Sequence, residues 1–283
     1  MNILETGSVG LHIRITDSLI TAADKALRLQ LPFFQCFFVH QETGALMSLS
    51  DQEKTEFIDV YRSHFSHLYL HGSYWINLAG ITYNGYSAFR SELEMAKRLS
   101  FTHMVVHAGS AKGAQHKQQG IDALARILNR ILKRENDVQI MLENTAHKNM
   151  TIGSDIADFG ILLEQLNYPE KVGFALDTAH AFVYGYDINT QAGCDSFVQL
   201  VDDTIGLERV MLLHINDASQ PCGSCIDKHA VLGEGLINSE MLKRIVTHPR
   251  LSTVPIILEL PVLPEDQEHG LVRLVNEWRS ERQ

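Results

Sequence analysis

The chain has 283 residues, of which 45% are hydrophobic and 20% charged, an ordinary composition for a globular domain. A net charge of −10 argues against a broad basic surface for nucleic acid, although a local basic patch is compatible with it. No apolar run approaches the roughly 18 residues that a membrane span requires, and residues 1–10 lack the pattern of a secretory signal. We therefore expect a cytoplasmic protein without a membrane partner.

Eight short apolar runs, rich in β-branched and aromatic residues, alternate with amphipathic stretches. The runs occupy residues 10–15, 33–39, 67–71, 102–107, 138–143, 172–177, 210–216 and 255–259. Their nearly continuous hydrophobicity is typical of parallel strands that are buried on both faces. The intervening patterns predict helices at 17–29, 50–65, 86–99, 120–133, 154–166, 195–205, 238–246 and 265–280.

Capping residues and the order of the elements indicate the fold. We expect Asp17 to cap the first helix, and Ser50 followed by Glu53 fits a capping box. Strand and helix alternate eight times, which favours closure of a parallel sheet into a barrel. The length suits the roughly 250 residues of a (β/α)₈ barrel, and no Pro/Gly/Ser-rich linker divides the chain. The sequence predicts one TIM-barrel domain, residues 1–283, and we expect a monomer.

Residues of the types that bind metals recur at the predicted strand ends. They end five of the last six strands and nearly end the other: His71, His107, Glu143, Asp177, His214 and Glu259. Consecutive members are about one βα unit apart, so all should surround one pocket at the C-terminal face of the barrel. One such residue alone is more often a hydrogen-bonded core residue or a helix cap. Several carboxylates in one buried pocket are costly to desolvate, however, and divalent cations are the natural compensation.

Two local motifs add further candidate ligands. The segment DTAH at 177–180 supplies His180, and the segment DKH at 227–229 supplies Asp227 and His229, which can face one ion if the chain is extended there. Nine candidates exceed what one ion needs, which indicates two or three ions. Imidazole and carboxylate suit Zn²⁺, with Mn²⁺ or Fe²⁺ as alternatives.

Cys222 and Cys225 form a C-x-x-C close to Asp227. Such a pair can be a redox couple or part of a metal site. The sequence contains no second C-x-x-C, so we favour a chance spacing over either role. A disulfide that adjusts the position of Asp227 is a hypothesis.

On these ligands and motifs, the sequence resembles endonuclease IV, a family of metal-dependent apurinic/apyrimidinic endonucleases. The matching segments, in the family's order and at its spacings, are HGSYWINL at 71–78, VHAGS at 106–110, LENTA at 142–146, LDTAHAF at 176–182, GYD at 185–187, LHINDA at 213–218, DKH at 227–229, LGEG at 232–235 and Ile257-Leu258-Glu259. The resemblance extends from about Gly10 to Glu259.

The resemblance implies a trinuclear zinc site. The three ions would be held by nine residues: His71 and His107 for the first, Glu143 as a bridge to the second, Asp177, His214 and Glu259 for the second, and His180, Asp227 and His229 for the third. The family cleaves the phosphodiester 5′ to an abasic site in double-stranded DNA and leaves a 3′-hydroxyl. A hydroxide shared by two ions would attack phosphorus in line, Glu143 would orient it, and Tyr74 would contact the DNA.

Three departures from the family pattern lie outside the ligand set. Residues 40–46 read HQETGAL, without the Arg and Trp with which the family probes DNA. The first strand continues as HIRITD at 12–17 instead of into Ser-Ala-Gly-Gly, and Cys225 replaces an expected Arg. Cations that could meet DNA phosphates beside the pocket are Arg14, Lys112, Lys117, Lys148 and Lys228.

Two other functions compete with the nuclease. A sugar isomerase or epimerase of the xylose-isomerase-like type shares the barrel and binds one metal through the set Glu143, Asp177, His214 and Glu259. It has no use for the five remaining candidate ligands, and it would contain one ion per chain instead of about three. A non-catalytic protein that binds lesions is the other alternative, which the altered second loop favours and the complete ligand set disfavours.

Overall fold

The computed structural model of the protein describes residues 9–40, 42–82, 85–134 and 137–281. Eight parallel strands form a barrel: β1 (Val9–His12), β2 (Phe33–Cys36), β3 (His67–His71), β4 (His103–His107), β5 (Gln139–Glu143), β6 (Val172–Asp177), β7 (Val210–His214) and β10 (Ile256–Leu258). They close in the order β1-β10-β7-β6-β5-β4-β3-β2. The predicted (β/α)₈ barrel is confirmed. Residues 1–8 of the N-terminal stretch and Gln41 of the second loop lie outside the described residues.

Helices connect the strands and cover the barrel. They are α1 (Leu19–Arg28), α2 (Asp51–Glu56), α3 (Tyr86–Arg98), α4 (Lys117–Leu132), α5 (Ala157–Leu163), α6 (Thr178–Tyr184), α7 (Gln191–Ile205), α8 (Ser239–Val246) and α9 (Glu265–Ser280). Every predicted helix has a counterpart, whereas α6 was not predicted as a separate helix. Within the described part of the chain, no helix has the length and apolar character to cross a membrane.

The predicted caps of the first two helices are partly wrong. Ser18, not Asp17, caps α1: its hydroxyl accepts a hydrogen bond from the Thr21 backbone N–H at 3.1 Å. Ser50 caps α2 as predicted, because its hydroxyl accepts from the Glu53 N–H at 3.1 Å. The Glu53 carboxylate does not close the box, however. It accepts from the Leu19 N–H at 2.9 Å and so joins the starts of α1 and α2.

The predicted helix 50–65 changes its winding after α2. A π-helical turn, Phe57–Tyr61, follows α2, and a 3₁₀ turn, Arg62–His64, follows that. Phe57 is buried within this segment and stacks on Phe101, with ring centroids 6.0 Å apart. An apolar helical pattern in the sequence fixes which face is buried, and the number of residues per turn adjusts to the packing.

Beyond β7 the chain forms a small antiparallel pair that was not predicted. It consists of β8 (Asp217–Ala218) and β9 (His229–Ala230), in which Asp217 pairs with Ala230 and Ala218 with His229. The segment between these two strands contains the C-x-x-C and Asp227. The pairing places this segment over the C-terminal end of the barrel.

The barrel interior is divided between an apolar plug and a polar layer. The plug is a separate buried cluster from seven strands: Phe33, Tyr69, Val105, Met141, Ala175, Leu212 and Ile257. Alternate residues of a strand point to the same face, so the position two residues further along each strand faces the interior as well. Those positions carry Gln35, His71, His107, Glu143, Asp177, His214 and Glu259. The period of the strand therefore places the candidate ligands together above a packed apolar floor.

Candidate metal centre

Glu143 lies at the centre of the polar layer, at the end of β5. Its Oε2 atom is 3.0 Å from His71 Nε2 and 2.9 Å from His107 Nε2, and its Oε1 atom is 2.7 Å from His214 Nδ1. The carboxylate is fully buried. Glu143 thus has one oxygen towards each of two groups of imidazoles, as a carboxylate that bridges two ions would require.

A second group surrounds His214, at the end of β7. Its Nδ1 atom is 3.7 Å from Glu259 Oε2 and 3.9 Å from Asp177 Oδ2. With Glu143 these residues form a set whose possible ligand atoms all lie within 4.8 Å of one another. The amide of Asn216 donates to both Asp177 Oδ2, at 2.5 Å, and Glu259 Oε2, at 3.3 Å, so it holds the two carboxylates side by side.

A third group lies towards the opening of the pocket. Asp177, His180 and His229 offer ligand atoms within 4.8 Å of one another. Asp227 joins them, with its carboxylate oxygens 3.2 Å from His180 Nε2 and 3.5 Å from His229 Nε2. Asp177 also caps α6, since its Oδ1 accepts from the His180 N–H at 2.8 Å. This cap fixes the spacing of the DTAH motif, because it ties the aspartate to the residue three positions later.

Backbone carbonyls orient three of the imidazoles. The Nδ1 atoms of His71, His180 and His229 lie 2.8, 2.8 and 3.1 Å from the carbonyl oxygens of Gly72, Asn144 and Glu259. If each Nδ1 carries the proton and donates it, every Nε2 keeps its lone pair towards the pocket. Metal-bound histidines usually show this arrangement, because the second hydrogen bond fixes both the ring and its tautomer.

Two further observations fit bound cations. The buried Nε2 atoms of His107 and His229 make no well-aligned hydrogen bond among the described residues, although His107 Nε2 is only 2.9 Å from Glu143 Oε2 and a buried polar atom is normally bonded. Such close but poorly aligned approaches are expected where ligand atoms point at a common centre instead of at one another. The donor set of imidazoles and carboxylates suits Zn²⁺ and related divalent ions. The residues therefore fit a multinuclear metal centre.

The electrostatics of the pocket lead to the same conclusion. Burial alone would raise the pKa of Glu143, but His214 and His107 outweigh burial and hold that pKa well below its usual range. Burial alone would lower the pKa of His214, but Glu259 and Glu143 raise it to about 9. The carboxylates stay charged and draw positive charge to the imidazoles. Divalent cations would take the place of those protons.

The sequence reasoning missed Gln35, which belongs to the polar layer, and His12, which lies beside it. Gln35 is fully buried, and its amide oxygen lies 3.1 Å from His214 Nε2. Its amide nitrogen donates to Glu259 Oε1 at 2.7 Å and lies 2.9 Å from His12 Nδ1. Gln35 follows Phe33 of the plug by two residues, so the strand period would have revealed it. A neutral amide is not a typical metal ligand, which is why its residue type gave no signal.

The candidate DNA contacts divide between residues that line the pocket and residues outside its lining. Tyr74 is 64% exposed, and its ring centroid is 6.2 Å from that of His107. Arg14 and Lys228 line the pocket together with Tyr74. Lys117 instead forms an ion pair with Asp158, with Nζ and Oδ2 2.6 Å apart. Lys148 donates to the Gly223 carbonyl at 3.2 Å, and Lys112 is exposed.

The two cysteines of the C-x-x-C are free thiols in this structure. Cys222 is exposed, and Cys225 is half-buried with a positive φ of 59°. The Cys225 N–H donates to the Val183 carbonyl at 2.8 Å, which fixes the loop against α6 without a disulfide. No group of metal-binding side chains found among the described residues includes either cysteine.

Comparison with known proteins defines the class first and then the family. The profile of the xylose isomerase-like TIM barrels matches residues 23–278. A probable endonuclease 4 from Halorhodospira halophila is 34% identical over 91% of this chain and 89% of its own length. Another, from Nitrosopumilus maritimus, is 30% identical over 95% of this chain and 99% of its own length. The chain belongs to the endonuclease IV family of nucleases.

Solved structures agree with this assignment. Endonuclease IV from Thermus thermophilus superposes with a TM-score of 0.82 at 28% identity, over 97% of this chain and 99% of that chain. A D-tagatose 3-epimerase-like protein gives a TM-score of 0.73 at 16% identity, over 97% of this chain and 98% of that chain. The second likeness shows that the barrel fold is shared and nothing further.

Proposed function

We propose that this protein is a zinc-dependent DNA repair endonuclease that hydrolyses the phosphodiester 5′ to abasic sites in double-stranded DNA. One observation carries the proposal: nine side chains of metal-binding type converge in a single pocket as overlapping groups. Family membership and the endonuclease names of the relatives support it. We further propose that the chain acts as a single-domain monomer in the cytoplasm.

We propose that these nine residues hold three ions, two of them joined by a bridging carboxylate. His71 and His107 would hold the first, and Glu143 would bridge it to the second. Asp177, His214 and Glu259 would complete the second. His180, Asp227 and His229 would hold the third, and Asp177 is near enough to share it. Bound divalent ions would supply Lewis acidity and lower the pKa of a water molecule towards neutrality.

The side chains around this centre prepare it for a phosphodiester. Glu143 is our candidate catalytic residue, because a carboxylate with one oxygen towards each of the first two groups can orient the nucleophile between them. Asn144 and Asn216 hold the strand ends in place: the Asn144 side chain joins the Asp177 backbone at 2.7 and 3.0 Å. Tyr74, beside His107 and exposed, would contact DNA next to the lesion. The polyanionic substrate would enter past Arg14 and Lys228.

The sugar isomerase is the second candidate, and it predicts a different metal content. That function would need only Glu143, Asp177, His214 and Glu259. It leaves the buried imidazoles of His71 and His180 in the same pocket without a role. The presence of these residues within ligand distance of Glu143 and Asp227 favours the nuclease.

Metal stoichiometry paired with a nicking assay tests the proposal. Purified protein is analysed for bound metal and then given a duplex oligonucleotide that carries one tetrahydrofuran abasic-site analogue. We expect about three zinc ions per chain and a single nick 5′ to the analogue. One ion and no nick would support the isomerase, and tight binding of the duplex by metal-loaded protein without a nick would support the non-catalytic alternative.

A further inference from the structure

His12, at the end of β1, lines the metal pocket without belonging to the ligand set. None of the groups of metal-binding side chains found among the described residues includes it. Its side chain is 8% exposed, and its Nε2 atom is buried without a hydrogen bond to any other described residue. A buried ring nitrogen normally has a partner. Because the protein supplies none here, the partner has to be a molecule that enters the pocket.

Gln35 determines which ring nitrogen of His12 carries the proton. The amide nitrogen of Gln35 lies 2.7 Å from Glu259 Oε1 and 2.9 Å from His12 Nδ1. A carboxylate only accepts hydrogen bonds, so the group that faces Glu259 is the NH₂ of the amide. One of its hydrogens is donated to Glu259 and the other to His12 Nδ1. Since Nδ1 accepts a hydrogen bond, the proton of the His12 ring is on Nε2.

This tautomer is the opposite of the one that the candidate ligands show. His71, His180 and His229 each have Nδ1 beside a backbone carbonyl, which leaves the lone pair of Nε2 for a cation. His12 has an N–H at the corresponding position instead. An N–H cannot bind a cation, but it donates to an oxygen, and it does so most strongly when that oxygen carries negative charge. His12 is therefore suited to an anionic group in the pocket.

The position of His12 among the ligands indicates which anionic group it meets. Its Nδ1 atom is 3.3 Å from Glu259 Oε1, and its ring centroid is 6.1 Å from that of His71. His71 and Glu259 are candidate ligands of the first and second ions. A group that reaches those ions therefore comes to the wall that His12 forms, and in the proposed reaction that group is the phosphate to be cleaved.

We propose that His12 donates its Nε2–H to a non-bridging oxygen of the scissile phosphate. The inference rests on the proposed function. Because Gln35 fixes the tautomer before the substrate arrives, the N–H needs no reorganisation when negative charge builds up on the phosphoryl oxygens. Hydrogen bonds to charged groups are stronger than neutral ones, and loss of this one should reduce kcat/KM roughly 10- to 100-fold.

Two variants separate the proposed donor from a purely structural role. In His12→Asn the shorter amide can still accept from Gln35, but nothing reaches the position of Nε2. In His12→Gln the longer amide brings an N–H to that position and loses the acceptor. On the tetrahydrofuran duplex, His12→Asn should lose roughly 10- to 100-fold in kcat/KM, and His12→Gln should recover most of that loss. Bound zinc per chain should match wild type in both. The reverse order of activities, or loss of zinc from His12→Asn, would overturn the proposal.

A phosphorothioate at the scissile position tests the contact itself. Its two diastereomers each replace one non-bridging oxygen by sulfur, which is a weak hydrogen-bond acceptor. His12→Asn should slow cleavage of one diastereomer much less than the other, because the hydrogen bond is already weakened where sulfur replaces the accepted oxygen. Equal slowing of both diastereomers would overturn this proposal alone. Failure of zinc-loaded wild-type protein to cut the unmodified duplex would overturn the proposed function and the role of His12 with it.

Discussion

The histidines at the C-terminal end of the barrel face carboxylates, whereas those at the N-terminal end face one another. His214 is buried among Glu259 and Glu143, which raise its pKa to about 9. His103, at the start of β4, stacks on Tyr69 with ring centroids 4.7 Å apart and meets His67 at 5.2 Å. Burial, with a smaller contribution from His67, lowers the pKa of His103 to about 4.

The different surroundings of His214 and His103 show which role each end of the barrel is suited to. Both histidines lie in strands of one barrel, so the backbone does not distinguish them. At the C-terminal end, the neighbouring carboxylates favour a positive charge, which protons or divalent ions can supply. At the N-terminal end, aromatic neighbours favour the neutral ring and contribute to packing. The first end is suited to chemistry and the second to stability, as is usual for this fold.

The largest expected effect comes from removal of the central carboxylate. Glu143→Ala should reduce cleavage at abasic sites by at least about 1,000-fold, because two of the three proposed ions would lose a shared ligand. Initial rates on the tetrahydrofuran duplex and bound metal per chain are measured together. Met141→Leu, two residues earlier on β5 in the apolar plug, is the matched control and should retain both. Full activity and full metal content in Glu143→Ala would refute the site assignment.

Removal of metal should destabilise the C-terminal end specifically. Several buried carboxylates then lose their compensating cations, and we expect a melting temperature lower by on the order of 10 °C, recovered when zinc is restored. Calorimetry with chelator and after addition of zinc checks this. A melting temperature that changes with neither chelator nor zinc would show that bound metal does not stabilise the fold.

Gln35 offers a finer test, because it bonds to two candidate ligands and carries no charge of its own. Gln35→Met keeps the side-chain volume but removes the hydrogen bonds to His214 and Glu259. We expect metal affinity to fall roughly 10- to 100-fold, as for other residues that orient ligands. Competition with a chromogenic chelator measures it, with Gln139→Met at the start of β5 as the control from the opposite end. Equal affinities in the two variants would mean that Gln35 does not orient the ligands.

The smallest expected effect is on the pH dependence of stability, and it comes from His103 at the N-terminal end of the barrel. Unfolded His103 binds a proton below pH 6.5, whereas the folded residue does so only below about pH 4. Between these values the unfolded state holds more protons, so stability falls as the pH falls, by at most about 1.4 kcal/mol per pH unit. His103→Gln should remove this contribution. Urea unfolding of both proteins at pH 7 and pH 5 checks it, and parallel pH dependences in the two proteins would count against the buried neutral ring.

Local sequence patterns were enough to predict the fold and most residues of the polar layer. Alternating apolar runs and helices predicted eight strands, and the position of a residue at a strand end predicted its neighbours across the barrel. The same logic failed where a partner comes from a distant segment. Glu53 satisfies the capping pattern of its own helix, yet its carboxylate bonds to Leu19 of α1, and no local pattern encodes that choice.

The sequence by itself determined the order of the strands, their buried character and which residue types stand at their ends, because period and composition are local properties. Only the tertiary structure decided which oxygen of Glu143 meets which imidazole, that Gln35 bonds to two of the candidate ligands, and that Met47 bonds back to Phe38 across a hairpin after β2. These features depend on the stagger of the closed barrel and on contacts between segments far apart in the chain. Distances between such segments are set by packing of the whole domain, which no short stretch of sequence contains.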